Sequence, residues 1–335
     1  MAKISVLGAG SWGSALAVLL CHNRHEVTLW AHRREQAEEL RSRRMNEKCL
    51  PGVLLPEEIA YTSDMEQAVD GREILVFAVP STALRETARK AQPFINHTQI
   101  LCCVSKGIEE GTLLTQCQIL EEYFPENEIS VLSGPSHAEE VVAELPTLVV
   151  AGSRKKEVAE RIQSVFMNEV FRVYTSPDVA GIEIGASLKN VIALAAGMCD
   201  GLGYGDNAKA ALITRGIKEI SALAVAMGGK PETLGGLAGI GDLIVTCESR
   251  HSRNRRAGML IGQGNTPKEA MRQVNMVVEG VYSTKAALAL GERHRVCLPI
   301  IEQVYQVLFC EKDVRSAVSE LMTRDPKAET DMVCW

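Results

Sequence analysis

The 335-residue chain is 46% hydrophobic and carries 36 basic against 42 acidic side chains, a formal charge of −6. That length exceeds what one core usually organises, so two globular domains are expected, and the acidic balance disfavours a general nucleic-acid or anionic-membrane surface. The N-terminus lacks a basic flank and cleavage pattern, and no apolar run is read as reaching the ~20 residues of a bilayer span; a cytoplasmic chain without membrane insertion is expected. Ten cysteines include the adjacent Cys102 and Cys103 but no Cys-x-x-Cys or zinc-like spacing, so they are read as mostly core thiols in a reducing compartment, with no metal.

In chain order, Ile4 to Leu7 reads as a buried parallel strand that runs into Gly8, Gly10 and Gly13, spaced Gly-x-Gly-x-x-Gly, and then into an apolar helix. Gly8 allows the tight turn, Gly10 lets backbone approach a pyrophosphate, and Gly13 lets helix lie on strand, while the helix N-terminus offers free N–H groups to the anion. Glu26 to Trp30 is a second strand and the segment to Arg44 its crossover helix. Where NAD-selective chains carry an acidic residue at the end of that strand, this chain reads Ala31, His32, Arg33, Arg34. Cations there suit a 2′-phosphate, so NADP(H) is expected over NAD(H), with NAD(H) still accepted; the competing reading is a solvated helix start.

Further strands at Ile74–Val79, Ile100–Val104, Ile129–Leu132, Leu148–Ala151 and Phe171–Tyr174 alternate with helical segments. The fold expected is therefore α/β, a Rossmann-like, doubly wound, mainly parallel sheet over residues 1–176. From Val179 onward the pattern is helical, giving an all-α C-terminal domain over 177–326 and a loosely ordered tail at 327–335. Thr266, Pro267 and Glu269 form a strong helix start.

Chemistry-bearing residues recur at the edge where open α/β sheets bind ligands. Lys106 follows one strand and meets an anion or carbonyl, unless it is a solvated loop lysine. Gly134 and Ser136 follow another, where Ser136 and Glu139 fit a capping box. Lys189 and Asn190 interrupt an apolar helix; Lys189 either snorkels to solvent or is held with a lowered pKa as a proton donor and acceptor. Asp242 is suited to balance its charge, and Ser252, Arg253 and Asn254 offer a fork and an amide for a phosphate monoester.

Together, Gly8-x-Gly10-x-x-Gly13, Val104-Ser105-Lys106-Gly107, Ser133-Gly134-Pro135-Ser136, Leu188-Lys189-Asn190, Gly241-Asp242-Leu243 and Ser252-Arg253-Asn254 resemble, in order and to about Pro326, the bacterial NAD(P)-dependent sn-glycerol-3-phosphate dehydrogenases. The resemblance implies reversible reduction of dihydroxyacetone phosphate to sn-glycerol 3-phosphate at C2, supplying glycerophospholipid synthesis, and a homodimer. It places Ser11, Trp12, His32, Arg33, Ala138, Val277 and Glu279 at the cofactor, and Lys106 and Arg253 at cofactor and substrate. Gly134, Ser136, Asn190, Asp242, Thr246, Ser252 and Asn254 fall at the substrate, and Lys189 is the proton acceptor in oxidation. The rival readings are another β-hydroxyacid-type dehydrogenase, of 6-phosphogluconate or ketopantoate type, and an NADPH-binding redox sensor without turnover.

Overall fold

A computed structural model describes residues 1–326, 328 and 329; the rest of the expected tail at 327–335 lies outside the described residues. Among the described residues ten strands form: β1 Lys3–Leu7, β2 Glu26–Trp30, β3 Met45–Asn46, β4 Leu50–Leu54, β5 Ala60–Thr62, β6 Ile74–Phe77, β7 Ile100–Cys103, β8 Ile129–Ser133, β9 Thr147–Gly152 and β10 Phe171–Ser176. Eight build one sheet in the order β10-β9-β8-β7-β6-β1-β2-β5, parallel except where β9 runs against β8. Residues such as Ile4, Val6, Val76 and Leu101 are fully buried because helices cover both faces, which is why these strands read as continuous apolar runs. The Rossmann-like sheet expected from sequence is thus the fold observed.

Two short features escaped the sequence reading. The β3–β4 hairpin and the edge strand β5 lie in the segment between β2 and β6, where Pro51, Gly52 and Pro56 break any periodicity. The hairpin matters to the site: Asn46 donates its amide to the Ala9 carbonyl at 3.1 Å, and Leu50 packs against Ala15 and Ala138.

After β10, Asp178 caps the helix Val179–Gly201 by accepting from the Gly181 N–H at 2.9 Å, and each regular element from there to Met322 is a helix. This 23-residue helix does have the length and hydropathy of a membrane span, contrary to the sequence reading. Its apolar stretch is 89% buried, however, because it is the axis around which the helical half packs. The helix Arg253–Gly262 lies so close to it that a Cβ on Gly258 would fall 2.0 Å from the Leu194 carbonyl oxygen. The Thr266–Glu269 capping box forms as expected. Among the described cysteines, Cys102, Cys103, Cys117 and Cys247 are buried, but Cys297 and Cys310 are exposed.

Candidate active site

The glycine turn is built for close approach. Gly8 has φ +128°, and a Cβ there would sit 2.6 Å from the Ala78 carbonyl oxygen; one on Gly13 would sit 1.9 Å from that of Gly8. At Gly10 the corresponding space is open. Helix Ser11–His22 has no side-chain cap, and its first intrahelical bond runs from the Ser14 N–H to the Gly10 carbonyl, so Ser11, Trp12 and Gly13 present N–H groups without partners among the described residues. The indole Nε1 of Trp12 is also buried and unpartnered. An open cradle of free N–H groups at a helix N-terminus fits a dinucleotide pyrophosphate.

Beyond β2, His32 and Arg33 are exposed, His32 edge-on to Trp30 at 6.0 Å. Arg34 is turned aside, its Nε bonded to Glu38 at 2.8 Å, so the expected cation cluster reduces to Arg33 beside His32.

At the carboxyl edge of the sheet, Lys106 leaves the loop after β7 and donates to Asp242 Oδ2 at 2.8 Å and to the Gly134 carbonyl at 3.3 Å. Asp242 opens the helix Asp242–Glu248 directly after a π-helical turn, Leu237–Gly241. Its other carboxylate oxygen accepts from Lys189 Nζ, which also donates to Thr246 Oγ1 at 2.8 Å. Lys189 is only 6% exposed and Asp242 1%, so the snorkelling reading of Lys189 is excluded.

Two ammoniums therefore share one buried carboxylate. Burial pushes the Lys189 pKa down to about 7, with Lys106 adding to the effect and Asp242 opposing it. For Asp242, burial alone would raise the pKa, yet the two lysines outweigh it and hold the carboxyl below its ordinary value. With both amines protonated, two positive charges would meet one negative, and burial brings the Lys189 amine to the point of releasing its proton near neutrality.

Asn254 donates its amide to Asn190 Oδ1 at 2.9 Å and accepts from the Gly280 N–H at 2.9 Å, which locks both asparagines beside Lys189. Ser252 caps the helix Arg253–Gly262, accepting from the Arg255 N–H at 3.2 Å. Arg255 is drawn away to Asp200 at 2.7 Å, whereas the half-buried Arg253 has no polar partner among the described residues. Val277 is half-buried, two residues before Glu279, which accepts from the Ser81 N–H at 3.2 Å and so ties the helical half to the turn after β6. Burial raises the Glu279 pKa despite those bonds.

One expectation fails. Ser136 does not cap a helix: the helix is Ala138–Val142 with His137 at the cap, and the Ser136 hydroxyl donates instead to the Gly134 carbonyl at 3.0 Å. The Ser-x-x-Glu spacing misleads because the chain stays extended for one more residue, which frees the loop to face the cleft. Buried Ala138 then starts that short helix beside the hairpin and Trp12. Sequence reasoning also missed Ser81 and His137; Ser81 was legible in principle, since it follows a strand at the ligand edge.

Two family models cover most of this architecture. That described as NAD-dependent glycerol-3-phosphate dehydrogenase N-terminus matches residues 3–159, and that described as its C-terminus matches 178–319. The chain belongs to the NAD-dependent glycerol-3-phosphate dehydrogenase family. Among glycerol-3-phosphate dehydrogenases [NAD(P)+], that of Agathobacter rectalis is 58% identical over the full length of both chains. The Fusobacterium nucleatum relative is 56% identical over 98% of this chain and 99% of its own. A crystal structure of glycerol-3-phosphate dehydrogenase from Coxiella burnetii superposes with a TM-score of 0.93 at 37% identity, covering 96% of this chain and 99% of that one. A ketopantoate reductase from Ralstonia eutropha, at 17% identity and a TM-score of 0.61, shares the fold alone.

Proposed function

We propose that this chain interconverts dihydroxyacetone phosphate and sn-glycerol 3-phosphate, with NADPH preferred over NADH. The observation that carries the reading is the Lys106–Asp242–Lys189 cluster, a buried amine with a pKa near 7 at the sheet edge beside an open dinucleotide cradle. Residues 1–176 are taken as the dinucleotide half and 177–326 as the substrate half, in a cytoplasmic homodimer that supplies glycerophospholipid synthesis.

Gly8, Gly10 and Gly13 shape the cradle; Ser11 and Trp12 would donate to the pyrophosphate, and Ala138, Val277 and Glu279 would line the nicotinamide side. His32 and Arg33 would hold the adenosine ribose, where the exposed guanidinium supports the 2′-phosphate preference. When bound, the nicotinamide supplies the hydride for C2. As negative charge grows on the C2 oxygen, Lys189 gives it a proton and Lys106 stabilises what charge remains; in oxidation Lys189 takes the proton back. Asp242 and Thr246 aim the amine. Arg253, with Ser252 and Asn254, grips the phosphate, while Gly134, Ser136 and Asn190 wall the cleft. A phosphate held away from the reacting carbon fixes the attack geometry, an effect that lowers barriers by roughly 7–11 kcal/mol when placement is good.

The test is oxidation of NADPH and of NADH with dihydroxyacetone phosphate, 6-phosphogluconate and ketopantoate in parallel. Turnover with the first substrate, faster with NADPH, is the expected result. Turnover with ketopantoate or 6-phosphogluconate instead, or cofactor binding without any turnover, overturns the reading.

A further inference from the structure

Dihydroxyacetone phosphate offers three polar handles, and the assignment above uses two of them. The phosphate goes to Arg253 and its neighbours and the C2 oxygen to the lysines, which leaves the C1 hydroxyl without an assigned partner. On that substrate reading, we propose that His137 is a specificity-determining residue whose imidazole hydrogen-bonds the C1 hydroxyl.

Its place in the chain is right: His137 stands between Ser136 and Ala138, in the loop that leaves β8 at the ligand edge. Its Nε2 is buried and has no hydrogen-bond partner. Buried polar atoms are almost always paired in a folded chain, so a nitrogen left without a partner close to Lys189 and Asp242 is suited to a ligand hydroxyl. The ring packs against His251 with centroids 6.0 Å apart. Charged groups facing it are Lys189 and Lys106, which disfavour protonation, and Asp242 and Glu139, which favour it; with burial the largest influence, the net effect is a pKa below the ordinary imidazole value. A neutral imidazole has one donor and one acceptor nitrogen, and so complements a hydroxyl, which can both give and take a hydrogen bond. A third cation there would only add to the charge of the two lysines.

The discriminating probe is acetol phosphate, identical to dihydroxyacetone phosphate except that a hydrogen replaces the C1 hydroxyl. In the wild type, kcat/KM should favour dihydroxyacetone phosphate by about tenfold or more, since a site built around a hydroxyl penalises its absence. His137→Phe and His137→Ala should bring that ratio towards unity while NADPH still binds. A wild-type ratio within about twofold, or a full ratio surviving in either variant, overturns the proposal. Should both variants fail to fold, 15N-histidine spectra of the wild-type NADP+ complex decide: a His137 Nε2 shift with dihydroxyacetone phosphate but not with acetol phosphate supports the contact, and equal shifts defeat it. No turnover of dihydroxyacetone phosphate at all would defeat the substrate assignment itself.

Discussion

The glycine cradle and the loop that carries Lys106 into the lysine cluster both lie at the carboxyl ends of the sheet strands, but the two features are made in different ways. The cradle is backbone: one strand, one turn and one helix within the first 22 residues, with Asn46 and Gln36 merely bracing the Ala9 carbonyl. The cluster is side chain: Lys106, Lys189, Asp242 and Thr246 come from three separate stretches of chain and meet only because the helix Val179–Gly201 is buried against the helix that Asp242 opens. A backbone site depends on sterics at a few glycines, whereas a buried charge cluster depends on every partner being present.

That contrast is open to direct attack, and the largest effect should come from the cluster. Lys189→Ala should lower kcat by about 10²–10⁴-fold, the usual worth of a proton-transfer group, while NADPH titrations stay near wild type. Near-normal turnover in this variant would remove Lys189 from the chemistry. Asp242→Ala leaves two ammoniums around an empty site; chemical denaturation should show a loss of about 3–5 kcal/mol, as expected when one partner of a buried pair is deleted. An unchanged midpoint would mean that water reaches the cluster freely.

Arg253→Ala should act on binding rather than chemistry, raising KM for dihydroxyacetone phosphate by about ten- to a hundredfold, the value of charge-assisted bonds to a phosphate. An unchanged KM would count against the phosphate grip. The pH dependence has opposite signs in the two directions. Reduction needs the Lys189 ammonium and should fall as pH rises through about 7, while oxidation needs the free amine and should fall as pH drops through the same region. Parallel profiles in both directions would place the titration on another group. The smallest effect belongs to the cradle's rim: Arg33→Asp should shift the NADPH/NADH ratio of kcat/KM towards NADH by several-fold, because the guanidinium is exposed and screened.

Reading the chain alone recovered the parallel sheet, the helical second half and the residues of the cluster, yet it left Lys189 balanced between a snorkelling and a buried role. Nothing in the run Leu188-Lys189-Asn190 distinguishes the two, since both place a lysine on an apolar helix. The capping reading of Ser136 failed for a related reason. A local pattern of hydroxyl and carboxylate recorded a tendency, and the path of the loop over the cleft overrode it. His137 carried no local signal at all, because an orphaned nitrogen is defined only by what surrounds it.

Amino-acid order was enough to determine the dinucleotide turn and the division between strands and helices, because both arise from short-range sterics and hydrophobic period. Tertiary structure alone decided that the Lys189 amine is pushed down towards neutrality. That outcome rests on how deeply Lys189 is buried and on a second cation sharing Asp242, conditions that exist only once distant segments have packed together.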